Sequence, residues 1–113
     1  MTNFSNYSFH EELGSEHSYD EEIPWRPESQ GETVTGVYQD KKLNVGQYQQ
    51  TVFVLCEESG TLRSVWANKV LESKMAEAEL GDIIRITYLG RAGKNGYHNY
   101  KVERGHPVGR AGI

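Results

Sequence analysis

The stretch ELGDIIRITYLGRAGKNGYHNYKVE, residues 79–103, restricts the fold more than any other part of the chain. Apolar residues occupy alternate positions on both sides of a glycine-rich turn, at Ile84, Ile86, Tyr88, Tyr100 and Val102. Alternation with a period of two is the pattern of a β-strand that buries one face. The stretch therefore predicts two strands joined by a turn, with one face of the pair in the core.

Three further strands are predicted upstream of this pair. Residues 32–58 contain two β-rich runs around a polar turn with a glycine, and GTLRSVWA at residues 60–67 reads as a third run. The pair Ser59 and Gly60 between them suits the tight turn of a hairpin. The three runs therefore predict a meander.

The residues after this meander change to a helical period. Leu71, Met75 and Ala78 recur at the spacing of one helix face, and charged residues fill most of the other face. Asn68 is suited to cap the start of this helix, and Gly81 is suited to end it. A short amphipathic helix is predicted between the third and fourth strands.

The order of elements predicted for residues 32–105 is βββαββ. This order is typical of a five-stranded Greek-key barrel with one helix, the oligonucleotide/oligosaccharide-binding (OB) fold. The fold class expected is all-β with one short helix, and a generic α+β sheet is the alternative. Residues 1–31 show no period and are predicted to be a disordered acidic tail, and residues 106–113 are predicted to be a short extension.

Several short motifs carry a family resemblance. A tryptophan ends the third strand at Trp66, a short helix follows, and the fourth strand reads GDIIRITYLG from Gly81 to Gly90. The last strand contains an aromatic-x-Val motif at Tyr100 and Val102. With these motifs, residues 33–104 resemble the small OB-fold single-stranded-DNA-binding proteins of bacteriophages and their relatives. The resemblance implies binding of single-stranded DNA in replication or recombination.

Charge divides the chain into an acidic and a basic part. Residues 1–32 hold one cation and eight acids, a net charge of −7, whereas residues 33–113 hold eleven cations and eight acids, a net charge of +3. Bacterial single-strand binders of the resembling family carry their acidic partner-recruiting tail after the barrel, but here the acids precede it. Three roles are open for this tail: competition with nucleic acid for the basic surface, recruitment of a replication or recombination protein, or a solubilising disordered terminus without contact to the barrel.

Binding of a single strand needs aromatic platforms for the bases and cations for the phosphates. The aromatic candidates, each equally suited to the barrel core, are Tyr38, Tyr48, Phe53, Trp66 and Tyr97. The basic candidates are Lys41, Lys42, Arg63, Arg85, Arg91, Lys94 and Lys101. Strand alternation favours an exposed position for Tyr97. Trp66 is either a core anchor or a stacking platform at the barrel rim, and we predict the core position.

The turn GRAGKNG at residues 90–96 is the strongest local candidate for phosphate contact. Its two cations, Arg91 and Lys94, are separated by glycines that allow the backbone to follow an irregular ligand. An ordinary hairpin turn is the alternative, because Asn95 followed by Gly96 favours one without any function.

No catalytic, metal or cofactor site is predicted, and an enzyme is not expected. The four histidines are scattered, and the single Cys56 has neither a disulfide partner nor a neighbouring base. The chain has no signal-peptide pattern and no apolar run long enough to cross a bilayer, so a cytoplasmic protein without membrane contact is expected. RNA is a second candidate ligand, and the sequence leaves homo-oligomer formation open.

Two other function classes fit the same elements. The barrel could serve as a protein-interaction module that docks on a replication, recombination or host factor, as the acidic tail and low pI suggest. An oligosaccharide- or small-ligand-binding barrel would use exposed tyrosines but has no need of the cations. The segment IPWRP at residues 23–27 is a candidate docking element, either on the barrel itself or on a second protein.

Overall fold

Six strands and one helix make up the computed structural model, which describes residues 22–106. They are β1 (Glu22–Pro24), β2 (Thr33–Val45), β3 (Gln50–Cys56), β4 (Leu62–Ala67), α1 (Lys69–Met75), β5 (Ile83–Ala92) and β6 (Tyr97–Gly105). The strands form one mixed sheet in the order β1-β4-β3-β2-β5-β6, in which only the β1–β4 pair is parallel. The prediction of a mostly β fold with one short helix is confirmed. The remainder of the predicted tail and of the C-terminal extension lies outside the described residues.

Strand β2 holds the two halves of the sheet together. It pairs with β5 through residues 33–37 and with β3 from Val37 onward. The change of partner occurs beside Gly36, where an added Cβ would lie 2.6 Å from the carbonyl oxygen of Cys56. A side chain therefore cannot fit at this position unless the two backbones move apart, and glycine allows the sheet to bend here.

Replacing Gly36 with alanine is expected to destabilise the fold by about 1–3 kcal/mol, because the new methyl group would force the backbones of β2 and β3 apart. Chemical denaturation followed by circular dichroism measures this effect. Gly105→Ala is the matched control, since a Cβ there meets nothing closer than the Ile83 side chain at 3.4 Å. Equal stability of the Gly36→Ala variant and the wild type would contradict the account of the bend.

The core lies between the sheet and the helix. Its buried side chains come from alternate positions of four strands and from one face of α1: Val34, Tyr38, Phe53, Leu55, Val65, Ala67, Leu71, Met75, Ile84 and Ile86. Tyr100 and Val102 of β6 pack against this cluster. The inward positions predicted for β5 and β6 are confirmed.

Helix α1 begins as predicted and ends earlier than predicted. The Asn68 side-chain oxygen accepts a hydrogen bond from the backbone N–H of Leu71 at 2.9 Å, which confirms the capping role. The helix ends at Met75 with Ala76 as its C-cap, so Gly81 does not end it. Leu71 and Met75 are the buried residues of this short helix.

The sheet is open, because no strand pairing joins β1 to β6 within residues 22–106. Strand β1 takes the free edge of β4, so the backbone groups of that edge are not available to β6. Side chains link the two sides instead. The Trp25 and Tyr100 rings lie 6.3 Å apart, the Lys74 ammonium donates to the Tyr100 carbonyl, and the Asn68 amide donates to the His98 carbonyl at 2.8 Å.

Residues 22–31, which the sequence assigns to the tail, are part of the folded unit. Besides the β1–β4 pairing, the Trp25 N–H donates to the Ser64 carbonyl at 2.9 Å, and the Gly31 N–H donates to the Tyr88 carbonyl at 2.8 Å. The IPWRP segment therefore contacts the sheet of its own chain, which is one of the two alternatives that its sequence allowed.

Candidate nucleic-acid interface

Two hairpin turns are in contact with the end of β4 or with the residue that follows it. An added Cβ at Gly46, in the β2–β3 turn, would lie 3.3 Å from Cζ3 of Trp66, so the indole ring packs against that turn. Two residues beyond Trp66, the Asn68 amide bonds to the carbonyl of His98, which follows the β5–β6 turn. The end of β4 is thereby connected to both turns.

We call the two turns together with the end of β4 the two-turn surface and define it by five side chains. They are Tyr48 in the β2–β3 turn, Trp66 at the end of β4, and Arg91, Lys94 and Tyr97 at the β5–β6 turn. The three aromatic side chains are 77%, 38% and 44% exposed in that order. Tyr97 stands beside the two cations of its own turn, and Tyr48 and Trp66 lie at the β2–β3 turn.

Trp66 faces away from the core, so its predicted core position is wrong. Its neighbours Val65 and Ala67 are 2% and 3% exposed and belong to the core cluster, whereas Trp66 points to the opposite face of the strand. On that outer face, its cross-strand partner is Val52. The exposed position predicted for Tyr97 is confirmed.

The β5–β6 turn is held in shape by its own side chains. An added Cβ at Gly93 would lie 2.7 Å from Cε1 of Tyr97, so the Tyr97 ring lies directly against the turn. Nη1 of Arg91 donates to the Gly96 carbonyl at 3.2 Å. The left-handed backbone at Gly93, with φ of 72°, and the close ring contact together require a glycine at this position.

Two polar contacts below this turn were not identified from the sequence. The Tyr88 hydroxyl and Nδ1 of His98 lie 2.7 Å apart, and the amide of Asn68 reaches the backbone of His98. His98 occupies the same strand face as Tyr100 and Val102, and this alternation is the signal that could have placed it near the core. These contacts fix the backbone next to Tyr97.

Arg91 and Lys94, like Lys41, differ from the other four candidate cations in their charge partners. Within residues 22–106, none of the three forms an ion pair with a carboxylate. Arg91 and Lys94 therefore present net positive charge at the two-turn surface.

Four of the remaining candidate cations are paired with carboxylates. The ion pairs are Lys42–Glu22 at 2.5 Å, Arg63–Glu57 at 2.9 Å, Arg85–Glu103 at 3.0 Å and Lys101–Glu103 at 3.7 Å. The hydrogen bond from Arg85 lowers the pKa of Glu103, and Glu103 in turn raises the pKa of Arg85. Their charges are partly neutralised, so these cations are less suited to phosphate contact.

Tyr38 and Phe53 lie inside the core and are not part of the two-turn surface. They are 4% and 2% exposed, and their rings meet edge to face with centroids 5.8 Å apart. Burial raises the pKa of the Tyr38 phenol, and nearby Asp40 adds to the shift. Neither ring has a free face on which a base could stack.

The two candidate lysines of β2 differ in their position relative to the two-turn surface. Lys42 is opposite Val52, which is opposite Trp66, so Lys42 lies at the margin of the two-turn surface. Lys41 is exposed beside the opening between β2 and the helix, together with Tyr38. Lys42 can assist binding there if its pair with Glu22 opens, and Lys41 lies away from the aromatic side chains of the site.

An open groove of about 670 Å³ adjoins the two-turn surface. Tyr48 and Leu43 form one side of it, and Asn68 and Lys69 at the start of α1 form the other. Its concave shape beside the exposed Tyr48 ring provides space for an extended ligand next to the β2–β3 turn.

Residues 22–106 contain no group of three or more His, Cys, Asp or Glu side chains arranged to hold a metal ion. No helix in this part is both long enough and apolar enough to cross a membrane.

Comparison with known proteins gives no relative. No family model matches the chain, and neither a curated protein nor a solved structure matches it. The fold and these side chains thus define a mostly β protein with an open sheet and with exposed aromatic and cationic side chains at two of its turns.

Proposed function

We propose that this protein has an OB-type fold and binds single-stranded nucleic acid, DNA in the first place, through the two-turn surface. The observation that carries the proposal is the combination of three exposed rings, Tyr48, Trp66 and Tyr97, with two cations that have no ion pair within residues 22–106. Exposed rings for the bases and cations for the phosphates are what single-strand binding requires.

The mechanism combines stacking and phosphate neutralisation. Bases of a single strand are free to stack on the exposed rings, at about 1–3 kcal/mol for each base. Arg91 can contact phosphate in a bidentate manner and Lys94 as a point charge, while the glycines of the turn let its backbone follow the strand. A duplex keeps its bases stacked inside and cannot use the rings in this way.

The order of the strands supports an OB-type fold. Five neighbouring strands of the sheet, β4-β3-β2-β5-β6, with a helix between β4 and β5, have the arrangement of a five-stranded Greek-key barrel opened between β4 and β6. In OB folds, ligands bind to the face of the second and third strands and to two flanking loops. Those elements correspond to β3, β4 and the two hairpin turns.

The biological role we assign is the coating of single-stranded intermediates in DNA replication or recombination, as the motif resemblance to phage-type binders implies. RNA is the alternative ligand. Competition between DNA and RNA strands of the same base sequence separates the two, because a contact to the 2′-hydroxyl would favour RNA.

Removal of the two turn cations is expected to reduce the salt dependence of binding. If two to three cations contact phosphates, the slope of log K against log[salt] should be about −1.4 to −2 for the wild type, at about −0.7 for each contact. The double variant Arg91→Gln/Lys94→Gln should make this slope shallower by about 1.4. Titrations of a labelled single strand at several salt concentrations measure it.

Lys41→Gln is the matched control for this experiment, because Lys41 is exposed but lies away from the aromatic side chains. It should leave the slope close to that of the wild type. An unchanged slope in the double variant would show that the phosphates are contacted elsewhere.

A second candidate function, docking on a replication, recombination or host protein, is favoured by one observation. Val37 and Ile83 form a cross-strand pair at the end of β5 that lies away from the β5–β6 turn, and they are 40% and 51% exposed. Exposed apolar side chains of this kind suit a protein partner. If the protein does not bind single strands even at low salt, docking on a protein becomes the better explanation of its function.

A further inference from the structure

Two residues with an uncommon backbone conformation line the open groove beside the β2–β3 turn. Asn44 and Gln49 have φ of 57° and 53°, and within residues 22–106 they are the only residues other than glycine with positive φ. Asparagine tolerates this left-handed conformation, but it is strained for glutamine, whereas glycine adopts it without cost. Strain of this kind collects where a side chain serves a ligand, so the outlier at Gln49 points to a use of its amide in the groove.

The hairpin side of the groove carries three amide side chains, those of Asn44, Gln49 and Gln50. The amide nitrogen of Gln49 donates to the Gly46 carbonyl at 3.3 Å, and that of Gln50 donates to the Ala67 carbonyl at 3.5 Å. No donor within residues 22–106 bonds to the side-chain oxygen of either glutamine. Both oxygens are therefore available as hydrogen-bond acceptors.

The other side of the groove adds an acceptor and a cation. Oε1 of Glu72 accepts a hydrogen bond from the Thr51 hydroxyl at 3.1 Å, and the carboxylate has no ion pair within residues 22–106. Lys69 is exposed and likewise has no carboxylate partner in that part of the chain. The groove thus presents acceptors on both sides and, at Lys69, a cation that the sequence did not single out.

Apolar side chains beside these polar groups suit a flat ligand. Tyr48 and Leu43 line the groove and are 77% and 62% exposed. A nucleobase that stacks on the Tyr48 ring presents its polar edge to the groups around it. Adenine, cytosine and guanine carry an exocyclic amino group that donates hydrogen bonds, whereas thymine and uracil do not. A groove with free acceptor oxygens therefore favours the bases that carry the amino group.

We propose that this groove reads one base of the bound single strand and selects bases with an exocyclic amino group. The base stacks on Tyr48, and its amino group donates to the side-chain oxygens of Gln49 and Gln50. Lys69 contacts a neighbouring phosphate. This inference rests on the proposed function and adds a preference that stacking alone does not give, because every base has a face that can stack.

Two homopolymers of equal length test this preference, because they differ in one functional group. Oligodeoxycytidine has an amino group where oligodeoxyuridine has a carbonyl oxygen, and the two bases have the same size. The full-length protein is expected to bind oligodeoxycytidine about 2- to 12-fold more tightly, the equivalent of one net hydrogen bond. Fluorescence anisotropy of labelled strands measures both affinities, in a slightly alkaline buffer that keeps cytosine unprotonated.

The variant Gln49→Gly removes the reading group and keeps the turn. Glycine adopts the left-handed conformation freely, so the melting temperature should stay close to that of the wild type. Binding of oligodeoxycytidine should weaken until the two affinities are nearly equal, with little change for oligodeoxyuridine. Gln39→Ala is the matched control, because Gln39 is exposed on β2 and does not line the groove, and it should keep the wild-type preference.

The variant Lys69→Gln tests the phosphate contact separately from base reading. It should weaken binding of both homopolymers alike and make the slope of log K against log[salt] shallower by about 0.7. An unchanged slope would overturn the phosphate contact assigned to Lys69.

The outcomes separate this proposal from the proposed function. Equal affinity of the wild type for the two homopolymers, tighter binding of oligodeoxyuridine, or an unchanged preference in Gln49→Gly would overturn base reading and leave single-strand binding in place. Absence of binding to both homopolymers at low salt would contradict the proposed function itself, and base reading with it.

Discussion

Replacing Trp66 with alanine is expected to weaken single-strand binding about 5- to 150-fold, the equivalent of about 1–3 kcal/mol for one stacked base, with little change in melting temperature. The indole is 38% exposed, lies on the face away from the core and packs against the β2–β3 turn. Its removal takes away a stacking platform but leaves the core cluster intact. Fluorescence anisotropy of a labelled oligonucleotide measures the affinity, and circular dichroism measures the melting temperature.

Trp25→Ala is the matched control for this experiment. Trp25 packs against Tyr100 in the gap between β4 and β6 and is not part of the two-turn surface. Its removal should lower the melting temperature more than the Trp66 change and should alter affinity less. The reverse order of the two melting temperatures, or an unchanged affinity of the Trp66→Ala variant, would contradict the role assigned to Trp66.

The variant Phe53→Ala is expected to lose about 3–5 kcal/mol of stability, the usual cost of removing a buried phenylalanine ring. Phe53 is 2% exposed, and its ring meets that of Tyr38 edge to face. The change therefore creates a cavity in the middle of the core. Urea denaturation followed by circular dichroism gives the free energy of unfolding of the variant and the wild type.

Tyr48→Ala provides the comparison for Phe53→Ala, because both changes remove an aromatic ring from the β2–β3 hairpin or its turn. Tyr48 is 77% exposed, so its removal should change stability by less than about 0.5 kcal/mol. A similar loss of stability in the two variants would contradict the structure, in which Phe53 is buried and Tyr48 is exposed.

Much of the sheet could be predicted because local patterns specify it. The alternation in β5 and β6 gives both the strands and their inward side chains, and Asn68 has the chemistry of a helix cap. The inward face of β4 could not be obtained in this way. Its six residues carry apolar side chains at both parities, with Val65 on one face and Leu62 and Trp66 on the other. Only the packing of neighbouring strands decides which face is buried.

Sequence patterns do not predict strand β1 either, for a different reason. It is three residues long, contains Pro24 and pairs in parallel with a strand 40 residues further along the chain. No period can develop over three residues, and nothing local indicates the distant partner. The tail boundary predicted near residue 31 therefore fell within the folded part.

For the candidate binding residues, the sequence likewise does not show which cations form ion pairs or which aromatic rings are buried. Sequence counts identify Arg85 as a cation but do not show that Glu103, 18 positions away, is its partner. Likewise, the tyrosine count does not separate buried Tyr38 from exposed Tyr48. Arg91 and Lys94 could be predicted because a turn between two strands is exposed by its nature.

The central claim, single-strand binding by the two-turn surface, is tested most directly by titrating the full-length protein with one oligonucleotide in single-stranded and duplex form. Quenching of tryptophan fluorescence reports binding, and the titrations are run at a low and a high salt concentration. The account predicts clearly tighter binding of the single strand, and weaker binding of it at high salt, because unstacked bases reach the rings and phosphates reach Arg91 and Lys94. Equal affinity for both forms, or no binding of the single strand at low salt, would contradict it.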